Sequence, residues 1–85
     1  MTASELRVDC LGQLCPLPII ELARGIGSVP VGGIVVVVSD DAAAASDVPA
    51  WCRMRGQEYL GTRAEPVGTA YLVRRVDSVR VRETA

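Results

Sequence analysis

Gly32-Gly33-Ile34-Val35-Val36-Val37-Val38 is the stretch that decides the fold. Five consecutive aliphatic residues follow a glycine pair, and all five are β-branched. Such side chains are stiff at χ1 and suit the pleated surface of a sheet better than a helix. In a strand, successive side chains point to opposite faces, so this run is apolar on both faces and reads as a central strand. Two coverings meet that demand: a second layer of helices, or a self-association surface. The run is also the longest unbroken aliphatic stretch in the chain, far short of the ~20 residues that span a bilayer.

On the N-terminal side, Leu6, Val8 and Cys10 alternate with Arg7 and Asp9, the period of a half-buried strand. Gly12 breaks that pattern as a turn residue, open to positive φ. The next segment begins at Cys15. Pro16 and Pro18 suit the first turn of a helix, where backbone N–H groups lack helical acceptors. Ile19, Leu22, Ala23 and Ile26 then fall on one apolar stripe, with Glu21 and Arg24 facing elsewhere. Gly25, Gly27 and Pro30 end this helix.

On the C-terminal side a second helix lies between Ala42 and Tyr59. Val48, Cys52 and Tyr59 share a side, with Trp51 beside them as a partly buried core residue. The residues leave two starts open: near Asp47, or at Ala42 with a kink at Pro49. Gly61 closes the helix in this reading. Thr62 to Val67 is a strand that Pro66 assigns to an edge. Gly68-Thr69 turns the chain into a last strand through Tyr71, Leu72 and Val73. Val79 and Val81 alternate with Arg80 and Arg82, as a strand continuation or an ordered tail would. The order β-α-β-α-β-β predicts an α/β (α+β) two-layer sandwich, a four-stranded mixed sheet with two helices on one face.

At 85 residues, with no repeat and no interdomain linker, the chain reads as one domain spanning 1–85. Its core covers about 6–76, with 77–85 as tail or strand extension. The composition is 49% hydrophobic and 22% charged, which is globular. What is missing narrows the chemistry more. Histidine is absent, which excludes Ser-His-Asp triads, Cys-His dyads and His-ligated metals. Lysine is absent too, so Schiff-base chemistry is excluded and all nine basic residues are arginine. Three cysteines without histidine make a poor structural zinc set, so no metal and no cofactor are expected. A formal net charge of −1 argues against nucleic-acid binding by electrostatics. The first residues carry no basic-then-apolar signal pattern. The expectation is a cytoplasmic protein with no direct membrane contact, whose thiols stay reduced.

Cys15 carries the obvious chemical handle. It would sit at or next to the N-cap of the first helix, where the macrodipole favours an anion and lowers a thiol pKa. With Pro16 and Pro18 lacking N–H groups, Leu17 and Ile19 would supply the donors nearest the sulfur. No internal base accompanies this nucleophile. Any helping cation must be an arginine or come from another protein. That suits a group carrier better than a hydrolase, which needs a base and an oxyanion site. The alternative is a small, buried, inert cysteine.

The stretch Asp9-Cys10-Leu11-Gly12-Gln13-Leu14-Cys15-Pro16-Leu17-Pro18 resembles the D-x-x-G-x-x-C-P-x-P signature of the TusA/SirA-like sulfurtransferase family. A second block, Asp40-Asp41 followed by Asp47-Val48-Pro49-Ala50-Trp51-Cys52, resembles that family's acidic pair and D-[IV]-P-x-[aromatic]-C run. The resemblance covers about Leu6 to Val76. It implies the two-layer fold, and it implies that Cys15 accepts sulfane sulfur as a persulfide and passes it on. The donor implied is a cysteine desulfurase or a rhodanese-like protein. The acceptor implied is a downstream protein of tRNA thiolation, molybdenum-cofactor or sulfur metabolism. Where many members carry basic residues in the first helix and before the second-block aspartate, this chain has Glu21, Arg24 and Ser46; Gln57 replaces a frequent histidine.

The remaining residues read as support. Asp9 orients the Cys15 loop or makes a turn with its own backbone. Asp47 caps the second helix. Cys10 is an inward strand residue or a resolving thiol, and Cys52 is core. Arg74, Arg75, Arg80 and Arg82 form a solvated edge or bind an acidic partner. Two other functions remain open on the residues: a non-catalytic interaction module of the same fold, and a Cys10–Cys15 thiol redox switch.

Overall fold

A computed structural model of the chain describes residues 4–77. Its elements are β1 (Glu5–Asp9), α1 (Leu17–Ile26), β2 (Ile34–Ser39), α2 (Ala44–Arg55), β3 (Glu58–Ala64) and β4 (Thr69–Arg74). The four strands form one sheet in the order β1-β2-β4-β3. β2 is central: it pairs parallel with β1 and antiparallel with β4. The sheet is therefore mixed, and the fold is the two-layer α+β sandwich that the element order implies.

The two faces of β2 are covered differently. Val35 and Val37 join Leu22 of α1, Val48, Trp51 and Cys52 of α2, and Tyr71 and Val73 of β4 in the main core. Val36 and Val38 point the other way, beside Ala70 and Leu72, and are buried as well. Among the described residues no helix covers that side. Instead Arg7 donates to Glu65 Oε1 at 2.7 Å, and Arg63 lies 3.9 Å from the other Glu65 oxygen. Arg7 stands beside Val36 in register and Arg63 beside Ala70. β1 and β3 are the outer strands, so a bond from Arg7 to Glu65, just past β3, must cross β2 and β4. Long arginine stems cover apolar surface in such an arrangement while their heads stay charged.

Several boundaries differ from the sequence expectation. On α1, Ala23 is exposed and the buried face is Pro18, Leu22 and Gly25. A Cβ at Gly25 would lie 3.2 Å from Val35 Cγ1, so this glycine lets the helix sit close on the sheet instead of ending it. The helix ends at Gly27. α2 begins at Ala44 and keeps Pro49 inside it. The carbonyl that Pro49 leaves without a helical donor belongs to Ala45, an exposed residue open to water. Gly56, not Gly61, closes α2 in the left-handed conformation, its N–H on the Cys52 carbonyl. Glu58 and Tyr59 therefore belong to β3, which starts four residues before the expected Thr62 and ends before Pro66. Gly61 marks a register shift within that edge strand. Arg74 pairs with Glu58 at 2.9 Å, and Arg75 donates to the Val29 carbonyl at 2.6 Å. The expected strand continuation at Val79 and Val81, with Arg80 and Arg82, lies outside the described residues.

Candidate functional site

Parallel β1 and β2 end on the same side of the molecule, at Asp9 and Ser39, and both helices start there. This topology brings the loop carrying Cys15 against the loop that leads into α2. The seam between them is tied by carboxylates. The Gly12 N–H donates to Asp40 Oδ1 at 3.0 Å. The Cys15 N–H donates to Asp41 Oδ2 at 2.7 Å. The other Asp41 oxygen accepts from the Ala43 N–H at 3.0 Å, so one carboxylate joins the Cys15 loop to the start of α2. These two donors hold the Asp41 carboxyl below its ordinary range. Asp9 accepts from the Leu11 N–H at 3.1 Å, closing a turn two residues on. Gly12 holds φ +80 in that turn.

Cys15 is exposed, whereas Cys10 and Cys52 are buried. Burial pushes both inner thiols up, Cys52 to about 11. Exposed Leu14, Leu17 and Ile20 flank Cys15 in sequence. The cysteine immediately precedes Pro16, the N-cap of α1, to which it is joined by a cis peptide bond.

The electrostatics run against the sequence expectation. The donors assigned to the sulfur are already taken: Leu17 N–H bonds the Leu14 carbonyl at 2.9 Å, and Ile19 N–H bonds the Pro16 carbonyl at 3.0 Å. Ile20 N–H shares the Pro16 carbonyl, and Pro18 has no N–H. This helix start offers an anion little. The thiol instead donates to Asp47 Oδ2 at 3.1 Å. Asp47 is the fourth residue of α2, past the cap position assigned to it, and Ala43 stands at that N-cap. The Cys15 pKa is raised, not lowered. The Asp47 hydrogen bond is the largest cause, then desolvation, then the charges of Asp47 and Asp41.

The sequence reading thus put Gly12 and Cys15 on the loop that follows the strand holding Asp9, with Pro16, Leu17 and Pro18 at the helix start beside them. It missed Asp40 and Asp41 as ties and Asp47 as the thiol's partner. Their signal was present in the Asp40-Asp41 pair and the Asp47-Val48-Pro49 run, but only as a pattern without an assigned contact.

These features define a two-layer α+β domain presenting one exposed cysteine where two helices and two parallel strand ends meet. Residues 6–75 match the sequence profile described as Sulfurtransferase TusA, and the chain belongs to that family. A protein of Archaeoglobus fulgidus, provisionally named a sulfur carrier protein, is 36% identical over 58 residues, covering 68% of this chain and 80% of its own. The sulfur carrier protein TusA of Pseudomonas syringae pv. syringae is 28% identical over 71 residues, 84% of either chain. The crystal structure of a SirA-like protein from Desulfitobacterium hafniense superposes with a TM-score of 0.62 at 25% identity, over 81% of this chain and 93% of that one. Among the described residues no helix is long and apolar enough to cross a membrane.

Proposed function

We propose that this chain is a sulfur carrier that takes sulfane sulfur onto Cys15 as a persulfide and passes it to an acceptor protein. The observation that supports this most is the selective exposure of Cys15 in the C-P-x-P loop, with both other thiols buried. In the reaction, the Cys15 sulfur attacks the outer sulfur of a donor persulfide. The donor's S–S bond breaks, its cysteine leaves with the electron pair, and it takes up a proton. The second transfer repeats this exchange with Cys15 as the leaving thiol. Neither step needs a cofactor. Asp9, Gly12, Pro16, Leu17 and Pro18 serve as the rigid mount of the sulfur. A cysteine desulfurase or a rhodanese-like protein is the donor in this reading, and tRNA thiolation, molybdenum-cofactor synthesis or sulfur metabolism supplies the acceptor. The burial of Cys10 speaks against a Cys10–Cys15 switch, since a disulfide would draw Cys10 out of the core.

The test is intact mass after incubation with a cysteine desulfurase and cysteine. The wild type is expected to gain one sulfur atom, removable by dithiothreitol, and Cys15→Ser to gain none. A sulfur adduct persisting in Cys15→Ser, on Cys10 or Cys52, would refute the assignment.

A further inference from the structure

The hydrogen bond from Cys15 to Asp47 is an odd feature in a nucleophile's site. A carboxylate 3.1 Å from the sulfur accepts the S–H and opposes the thiolate. Among the described residues the surroundings offer no counterweight. Asp41 lies on the Cys15 N–H, Asp40 on the Gly12 N–H, and Asp9 closes the turn before them. The charged residues of α1 are Glu21 and Arg24, which lie 3.5 Å apart as a pair. Among the described residues no arginine pairs with Asp47, and the chain has neither lysine nor histidine. The thiol is therefore held in the less reactive form, and none of the described residues supplies the positive charge that would release it.

We propose that Asp47 is a positioning residue that keeps the free Cys15 as a hydrogen-bonded thiol, and that the sulfur donor opens the site with a cationic group that pairs with Asp47. This rests on the reading of Cys15 as the sulfur acceptor. Once the donor's cation pairs with the carboxylate, the Cys15 proton passes to water. The sulfur's electron pair then forms the new bond to the donor's outer sulfur, and the donor cysteine leaves as thiolate and is reprotonated. The transferred sulfur keeps its oxidation state, so no oxidant or reductant enters. A thiol guarded in this way meets small oxidants and stray electrophiles mostly protonated, and reacts readily with a partner of the right charge.

The experiment uses the full chain and four small reagents. Iodoacetamide alkylation of Cys15 is followed against pH in wild type, Asp47→Asn, Asp47→Ser and Asp47→Glu. The neutral variants are expected to move the midpoint to lower pH. They should also react on the order of threefold faster near neutrality, because thiolate fraction rises more than intrinsic nucleophilicity falls. Asp47→Glu should keep the wild-type profile. A trimethylammonium methanethiosulfonate should outpace its sulfonate counterpart on the wild type. That preference should shrink several-fold in Asp47→Asn and in high salt. An unchanged midpoint and an unchanged charge preference in both neutral variants would overturn the proposal. Loading with inorganic polysulfide, read by intact mass, separates it from the function. No sulfur on Cys15 would sink the carrier reading while a shifted midpoint still upheld Asp47's hold on the thiol.

Discussion

Gly68 and Gly12 form a controlled pair at the end of the sheet that carries Cys15. Both have left-handed backbone, φ +77 and +80. They differ in what a side chain would meet. A Cβ on Gly12 has nothing within 4 Å. A Cβ on Gly68 would lie 2.7 Å from the Ser39 carbonyl oxygen and 2.9 Å from Leu11 Cδ2. Leu11 can turn aside, but Ser39 is the last residue of β2 and its backbone is fixed by pairing with Thr69. Gly12→Ala should therefore lose only the left-handed backbone term, about 1–2 kcal/mol. Gly68→Ala loses that and adds an overpacking cost of about 1–3 kcal/mol, about 2–5 in all. A chain of this length is stable by about 4–13 kcal/mol, so the second variant gives up a large share. The assay is urea unfolding. With a slope of about 1 kcal/mol/M, the Gly68→Ala midpoint should fall about 1–3 M further than that of Gly12→Ala. Equal midpoints at equal slope would refute the argument, because the close approach to Ser39 would then carry no energetic weight.

Two further outcomes are expected. Native protein treated with iodoacetamide at mildly alkaline pH should take up one label, on Cys15, and three labels in urea; rapid native labelling of Cys10 or Cys52 would contradict their burial and raised pKa values. The Arg7 hydrogen bond holds the Glu65 carboxyl below its ordinary range, and a carboxylate depressed in the folded state adds stability above its unfolded pKa that is lost as pH falls through the folded value. Melting temperature should therefore drop between about pH 5 and 3, and Glu65→Gln should flatten that slope without abolishing it, since Asp41 is depressed as well; an unchanged slope would show that the link across the far face contributes nothing.

The central strand was legible because its signal is local: five β-branched residues in a row admit few structures other than a strand buried on both faces. What covers the second face was not legible. Arg7 and Glu65 are 58 positions apart, and each looks like an ordinary surface charge until the strand order places them across the same valines. Helix ends failed for a related reason. Gly56 and Gly61 are equally good stops by residue type. The choice falls to Tyr59, whose ring packs on the core from a strand as well as it would from a helix. Ala23 and Gly25 reversed roles because a close helix–sheet approach favours the smaller residue, and that distance is set by Val35, not by helical periodicity.

Cys15 itself was legible, and the sign of its electrostatics was not. The expectation of a lowered pKa took the helix N-terminus to be a set of free N–H groups. Those groups are free only if the preceding turn leaves them so. Here the turn from Leu14 through Pro16 supplies its own carbonyls, and two prolines remove further donors, so the same residues that stiffen the mount also use up its anion site. The vacant role passed to a residue 32 positions away, Asp47, brought in by the β2–α2 loop. A thiol at a helix start is thus governed by the donors that remain after the backbone has bonded itself and by the charges that topology delivers. Among the described residues none of those charges acting on the sulfur is positive. A cysteine held this way depends on a partner's charge for its reactivity, and the C-P-x-P motif alone does not reveal that dependence.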